Sequence, residues 1–76
     1  MVYIGNIFKE YENLKEDERI LLKFGNGDEV TITAGDTVEK ENGDLKITRK
    51  INDDRTSICY VDTAFVKYIS KSRRFL

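Results

Sequence analysis

Histidine, proline and tryptophan are missing from this 76-residue chain, and cysteine and methionine occur once each. Without histidine, the usual acid or base near neutral pH is gone, and with it histidine-based catalytic triads and most catalytic metal sites. One thiol and no imidazole would leave a structural zinc to carboxylates, whereas such sites normally take cysteine and histidine. Cys59 alone forms no internal disulfide, and no stretch approaches the roughly 20 apolar residues that a membrane helix needs. Met1 to Asn6 lack the positive n-region of a signal peptide, so the expected home is the cytoplasm, where a lone reduced cysteine is ordinary. No proline-rich linker divides the chain, and residues 1–76 are expected to form one small domain. At this length folding buries only about 60% of the surface exposed by the unfolded chain. Disulfides and metals being unsuited, stability must come from oligomerisation or from efficient use of the apolar residues.

What is plentiful is charge, at 36% of residues, almost balanced at a formal net −1. Residues 1–44 carry eleven acidic and five basic side chains, and residues 45–76 carry three acidic and eight basic, giving −6 and +5. That split allows a basic patch on a nearly neutral protein, head-to-tail contact between copies, or two halves interleaved until neither field survives.

Tyr3, Ile4, Ile7, Phe8, Tyr11 and Leu14 recur at three- and four-residue spacing and predict an amphipathic helix over about 3–15. The acidic cluster Glu16, Asp17 and Glu18 is unfavourable at a helix C-terminus and places the end near Leu14 or Lys15. From Arg19 onward the pattern is that of antiparallel strands, over about 19–70. Ile20 to Phe24 leads into Gly25-Asn26-Gly27-Asp28, a tight reversal. Glu29 to Ala34 alternates with Val30, Ile32 and Ala34 on one face. Gly35-Asp36 permits a bend before a short strand Thr37 to Lys40, and Glu41-Asn42-Gly43-Asp44 turns again. Leu45, Ile47 and Ile51 then alternate with Lys46, Thr48 and Lys50, while Arg49 stands in an apolar phase. Asn52 to Arg55 is a third reversal, followed by Thr56 to Val61 and a last short strand, Phe65 to Ile69. Ser57-Ile58-Cys59-Tyr60-Val61 carries apolar side chains on both faces, which predicts a covered strand at the centre of the fold, with Ile58 and Tyr60 in the core.

Short turns make consecutive strands antiparallel neighbours, and a meander this long leaves exposed edges unless it curls or pairs with another chain. The expected architecture is mainly β with an N-terminal α-helix, a small SH3-like or Sm-like antiparallel barrel or a strongly bent sheet. An open sheet with the helix on one face is the rival.

Chemistry finds few footholds. Cys59 sits between Ile58 and Tyr60 and is read as a small packed hydrophobe rather than a nucleophile. Asp53 and Asp54 belong to a turn, and Asp62 ends a strand where aspartate commonly bonds turn backbone. The Gly25 to Asp28 segment joins two strands and lacks a nucleotide-binding fingerprint. No catalytic residue, metal ligand or cofactor is assigned. The one constellation with binding chemistry is Lys67, Tyr68, Lys71, Arg73 and Arg74 near Phe75, cations beside rings that run from the last strand into a short basic C-terminal tail, 71–76, with Lys46, Lys50 and Arg49 on or near a sheet face that could extend the patch.

Leu22-Lys23-Phe24-Gly25-Asn26-Gly27 is similar to the first motif of the Sm-like (Hfq-like) small-barrel family, and the stretch Ile58 to Ile69 resembles its closing pair of strands. The resemblance implies an N-terminal helix, a strongly bent five-stranded barrel, rings of subunits paired through their final strands, and RNA bound by residues lining the ring. The chain carries Ile32 or Ala34 where that family places a strand glycine, and it has no histidine-containing signature near Cys59 and Tyr60. Carry-over is therefore confined to Asn26 as a loop residue and Tyr60 as a structural or base-facing ring. The expected function is a non-catalytic small binding or assembly domain that pairs with itself or another protein. The alternative is a ring-forming, Sm-like RNA-binding protein using the basic surface.

Overall fold

A computed structural model describes residues 3–73. Helix α1 spans Ile4–Glu12 and strands β1 to β6 span Glu18–Phe24, Glu29–Thr33, Thr37–Glu41, Asp44–Asn52, Arg55–Val61 and Val66–Arg73, with one 3-10 turn, Thr63–Phe65, between the last two.

The helix is where its periodicity places it, though shorter. Asn13 stops it, donating its side-chain amide to the Lys9 carbonyl at 2.9 Å, and Leu14 N–H closes a tight turn onto the Tyr11 carbonyl. Ile7 is fully buried, with Ile4, Phe8, Tyr11 and Leu14 packed around the core, while Tyr3 is exposed. The turn residues also act as read: Gly27 and the pair Asn42-Gly43 adopt positive φ, a region that glycine and asparagine tolerate.

The strands do not close into a barrel, nor do they merge into one strongly bent sheet. They form two open three-stranded antiparallel sheets, β2-β1-β6 and β3-β4-β5. The SH3-like and Sm-like expectation, and with it the family resemblance, is overturned by this topology: β2 pairs only with β1, and β5 only with β4, among the described residues. The cause is local. Asp36 N–H bonds the Thr33 carbonyl at 3.1 Å, turning the chain sharply after β2, so the segment that would have to continue as one long bent strand is split into two five-residue strands.

The two sheets share one core. Ile20 and Leu22 from β1, Ile32 from β2, Val38 from β3, Leu45 and Ile47 from β4, Val61 from β5 and Val66 from β6 are buried together with Ile7. The centre of each sheet is therefore β1 or β4, each paired on both sides. The expectation that β5 lies at the centre with Ile58 and Tyr60 in the core is wrong: β5 is an edge strand, and those side chains are 52% and 56% exposed.

Candidate interaction surface

Antiparallel register fixes what the outer face of the second sheet presents. Glu39, Lys46 and Tyr60 form one rung across β3, β4 and β5, and Thr37, Thr48 and Ile58 form the next. Since Leu45, Ile47 and Val61 point into the core, the alternate positions must face outward. Ile58 and Tyr60 thus stand on the solvent side of a strand that has a neighbour on one side only. The β4–β5 hairpin also extends beyond the core: every residue from Arg49 to Ile58 is exposed.

The four sheet edges differ in how they are guarded. Strand β3 carries Glu39, Lys40 and Glu41 in five residues. Strand β2 begins at Glu29, ion-paired to Lys23, and its Thr31 carbonyl accepts a hydrogen bond from Arg49 Nη2 at 3.1 Å. Strand β6 carries Lys67, Lys71 and Arg73 and an irregular register opposite Lys23 and Phe24. Charges, short length and bulges are the ordinary means of discouraging edge-to-edge pairing. Strand β5 has none of these from Thr56 to Val61: no charge, no proline, and its one register shift lies back at Lys50 to Asn52.

An ion pair between a buried carboxylate and a half-exposed guanidinium joins the two sheets. Asp36, 3% exposed, receives Arg49 Nε on Oδ1 and Nη2 on Oδ2, both at 2.8 Å, and Thr33 N–H on Oδ2 at 2.9 Å, while Tyr11 donates its hydroxyl to the Asp36 carbonyl. Burial pushes the carboxyl's pKa up, but the Arg49 hydrogen bonds, the Thr33 N–H and the nearby positive charge outweigh it and hold the group below its ordinary value. Arg49 is raised in turn, chiefly by its hydrogen bond to Asp36. The pair fastens β4 to the β2–β3 turn and the turn to the helix. Sequence reading placed Asp36 in a bend and Arg49 in an apolar phase, and that phase was the available signal that Arg49 turns toward the inner side of its sheet.

Of the residues read as a nucleic-acid surface, Lys67, Tyr68, Lys71 and Arg73 lie along β6. Strand β6 runs through Arg73, so Lys71 and Arg73 lie on a strand. Lys71 Nζ is 3.7 Å from Glu10 Oε2 and 3.8 Å from Glu18 Oε2, and Arg73 Nε is 3.5 Å from Asp17 Oδ2. Together with Glu41–Lys46 and Asp36–Arg49, these contacts join the acidic half of the sequence to the basic half, so the two halves interleave in space. Arg74 and Phe75 lie outside the described residues. Lys67 lines an open groove of about 440 Å³ with Phe24, Asn26, Ala64 and Phe65, and Tyr68 stands beside Lys23 on the outer face of β6. Asn26 is occupied within its turn, accepting from Asp28 N–H at 3.0 Å and donating to the Asp28 carboxylate at 2.9 Å.

No family model, curated protein or solved structure matches this chain. Among the described residues no group of histidine, cysteine, aspartate and glutamate could hold a metal ion, and no helix is long and apolar enough to cross a membrane. Cys59 is partly buried against the core, as a small hydrophobe would be. Asp62 accepts from Ala64 N–H at 3.0 Å and Asn52 from Asp54 N–H at 2.9 Å, both as turn-forming side chains.

Proposed function

We propose that this protein is a non-catalytic assembly domain that recruits a protein partner along the outer edge of β5. The observation that carries the reading is the pairing of an unguarded edge with two exposed apolar side chains, Ile58 and Tyr60, on the same strand. Unpaired backbone donors and acceptors supply affinity when a further strand is added, and alternate side chains supply selectivity. The lone thiol of Cys59 suits a reducing compartment such as the cytoplasm. A polyanion partner has less support, since Lys71 and Arg73 are engaged by carboxylates.

The test replaces Ile58 or Tyr60 by glutamate. Both sites are exposed, so the dilute protein should unfold at the wild-type temperature, while complexes seen by native mass measurement over a concentration series should be lost. Complexes that survive both substitutions place the interface elsewhere and remove the support for this reading.

A further inference from the structure

We infer that the partner at this edge is a second copy of the chain, joined β5 to β5 about a two-fold axis through Ile58, making one six-stranded sheet from two three-stranded ones. This rests on the assembly reading above and adds the occupant and the register.

A two-fold contact must be self-complementary, because each residue meets the same surface that it presents. Strand β5 meets that condition. Ile58 is the middle of its seven residues, so an antiparallel partner centred there uses the whole strand. Ile58 then lies opposite Ile58 of the second copy, Thr56 opposite Tyr60, Ser57 opposite Cys59, and Arg55 opposite Val61. No charged side chain on the strand meets a like charge, and the outer-face rungs pair β-branched and aromatic residues, which favour one another across strands. Residues facing each other in this register also lie on the same side of the joined sheet, so the core of each copy stays behind its own strands.

Two of the other three edges set like charges against each other, and on the third, β2, the Thr31 carbonyl is already taken by Arg49. A two-fold pairing of β3 on itself would set Glu39 opposite Glu39. The same operation on β6 about its middle would set Lys67 opposite Lys71 when centred at Ile69, or Lys67 opposite Arg73 when centred at Ser70. Like charges directly opposite are destabilising. In this register the β4–β5 hairpin tip of one copy lies beside the segment after Val61 of the other, so Asp54 falls opposite Asp62 just beyond the paired strand, with Arg55 next to Asp54 offsetting that repulsion.

Disulfide trapping tests the register. Directly opposed residues in an antiparallel pair have Cα atoms about 4.5–5.5 Å apart, within reach of a disulfide, whereas diagonal neighbours are about 7–8 Å apart and poorly placed for one. In a Cys59→Ser background, Ile58→Cys should give a covalent dimer rapidly under a mild oxidant. The wild-type chain with Cys59 alone should not, and Thr56→Cys mixed with Tyr60→Cys should cross-link to each other and not to themselves. Wild-type protein should be dimeric by native mass and Ile58→Glu monomeric, with unchanged unfolding of the dilute chain. Rapid Cys59 to Cys59 cross-linking in the wild type would move the axis by one residue and overturn the register. Assemblies lost with Ile58→Glu but not trapped by the Ile58→Cys variant would overturn the β5 to β5 dimer and leave the assembly reading standing. A chain monomeric at every concentration, with the β5 amides that point away from β4 exchanging freely, would end the self-association inference. The assembly reading then also fails if no added protein protects those amides.

Discussion

Strands β1 and β5 have similar sequences and opposite circumstances. Ile20-Leu21-Leu22-Lys23-Phe24 and Ser57-Ile58-Cys59-Tyr60-Val61 both carry apolar residues on both faces, and each strand is seven residues long in the structure. Yet β1 is paired on both sides, with Ile20 and Leu22 almost wholly buried, whereas β5 is an edge with Ile58 and Tyr60 open to water. Apolar character on two faces says that both faces favour cover. It does not say whether the chain itself supplies that cover. On both strands the inner side chains pack into the shared core, Ile20 and Leu22 from β1 and Cys59 and Val61 from β5; what differs is that β1 has a strand on each side and β5 on one side only.

The largest effect should come at the buried end of this contrast. Leu22→Ala removes a fully buried side chain from a central strand and should cost about 3 kcal/mol in chemical denaturation, in the range for such truncations. A loss near zero would mean that β1 is not the central strand.

Next is the fastening between the strands adjoining β1 and β5. Asp36→Ala leaves Arg49 without its partner and frees Thr33 N–H, and should cost about 2 kcal/mol, less than a fully buried pair because the guanidinium is half exposed. The pH dependence has a fixed sign. Because the folded carboxyl titrates below its ordinary value of about 3.9, its contribution is complete above that value and is lost as pH falls through the lowered folded value. Asp36→Asn should therefore be less stable at neutral pH and show a flatter acid limb in thermal unfolding. An acid limb identical to that of the wild type would remove Asp36 from the account.

Smaller still is Lys71→Ala. Its contacts with Glu10 and Glu18 are partly exposed, so the loss should be at most about 1 kcal/mol and should shrink in high salt. The smallest effect belongs to β5: Ile58→Ala or Tyr60→Ala should change the stability of the dilute protein by no more than about 0.5 kcal/mol. A loss of about 2 kcal/mol or more, on the order of core truncations, would put these side chains in the core after all.

Much of the fold was legible because its signals are local. The stripe from Ile4 to Leu14 follows from helical periodicity, the alternation of Glu29 to Thr33 from strand periodicity, and the reversals at Gly27 and Asn42-Gly43 from tolerance of positive φ. What failed is non-local. Whether six strands make one barrel or two open sheets depends on how the chain leaves β2, and the Asp36 turn decides that through Arg49, thirteen residues away. The charge split between the two halves left a patch, contact between copies and interleaving all open, because the pairing of Lys71 and Arg73 with Glu10, Asp17 and Glu18 depends on β6 lying beside β1, which no local pattern reveals. The candidate surface at Ile58 and Tyr60 was misplaced for the same reason. The strand was correctly recognised, and its position in the sheet was not.

Residue-by-residue amide hydrogen exchange on the dilute protein tests the open edge most directly. All amides of β1 from Arg19 to Lys23 should be protected, while in β5 only the alternate amides that bond β4 should be, with the others exchanging nearly as fast as an unstructured chain. Protection of every β5 amide at a dilution where the protein is monomeric would contradict the account, since a further strand of the same chain would then have to cover that edge.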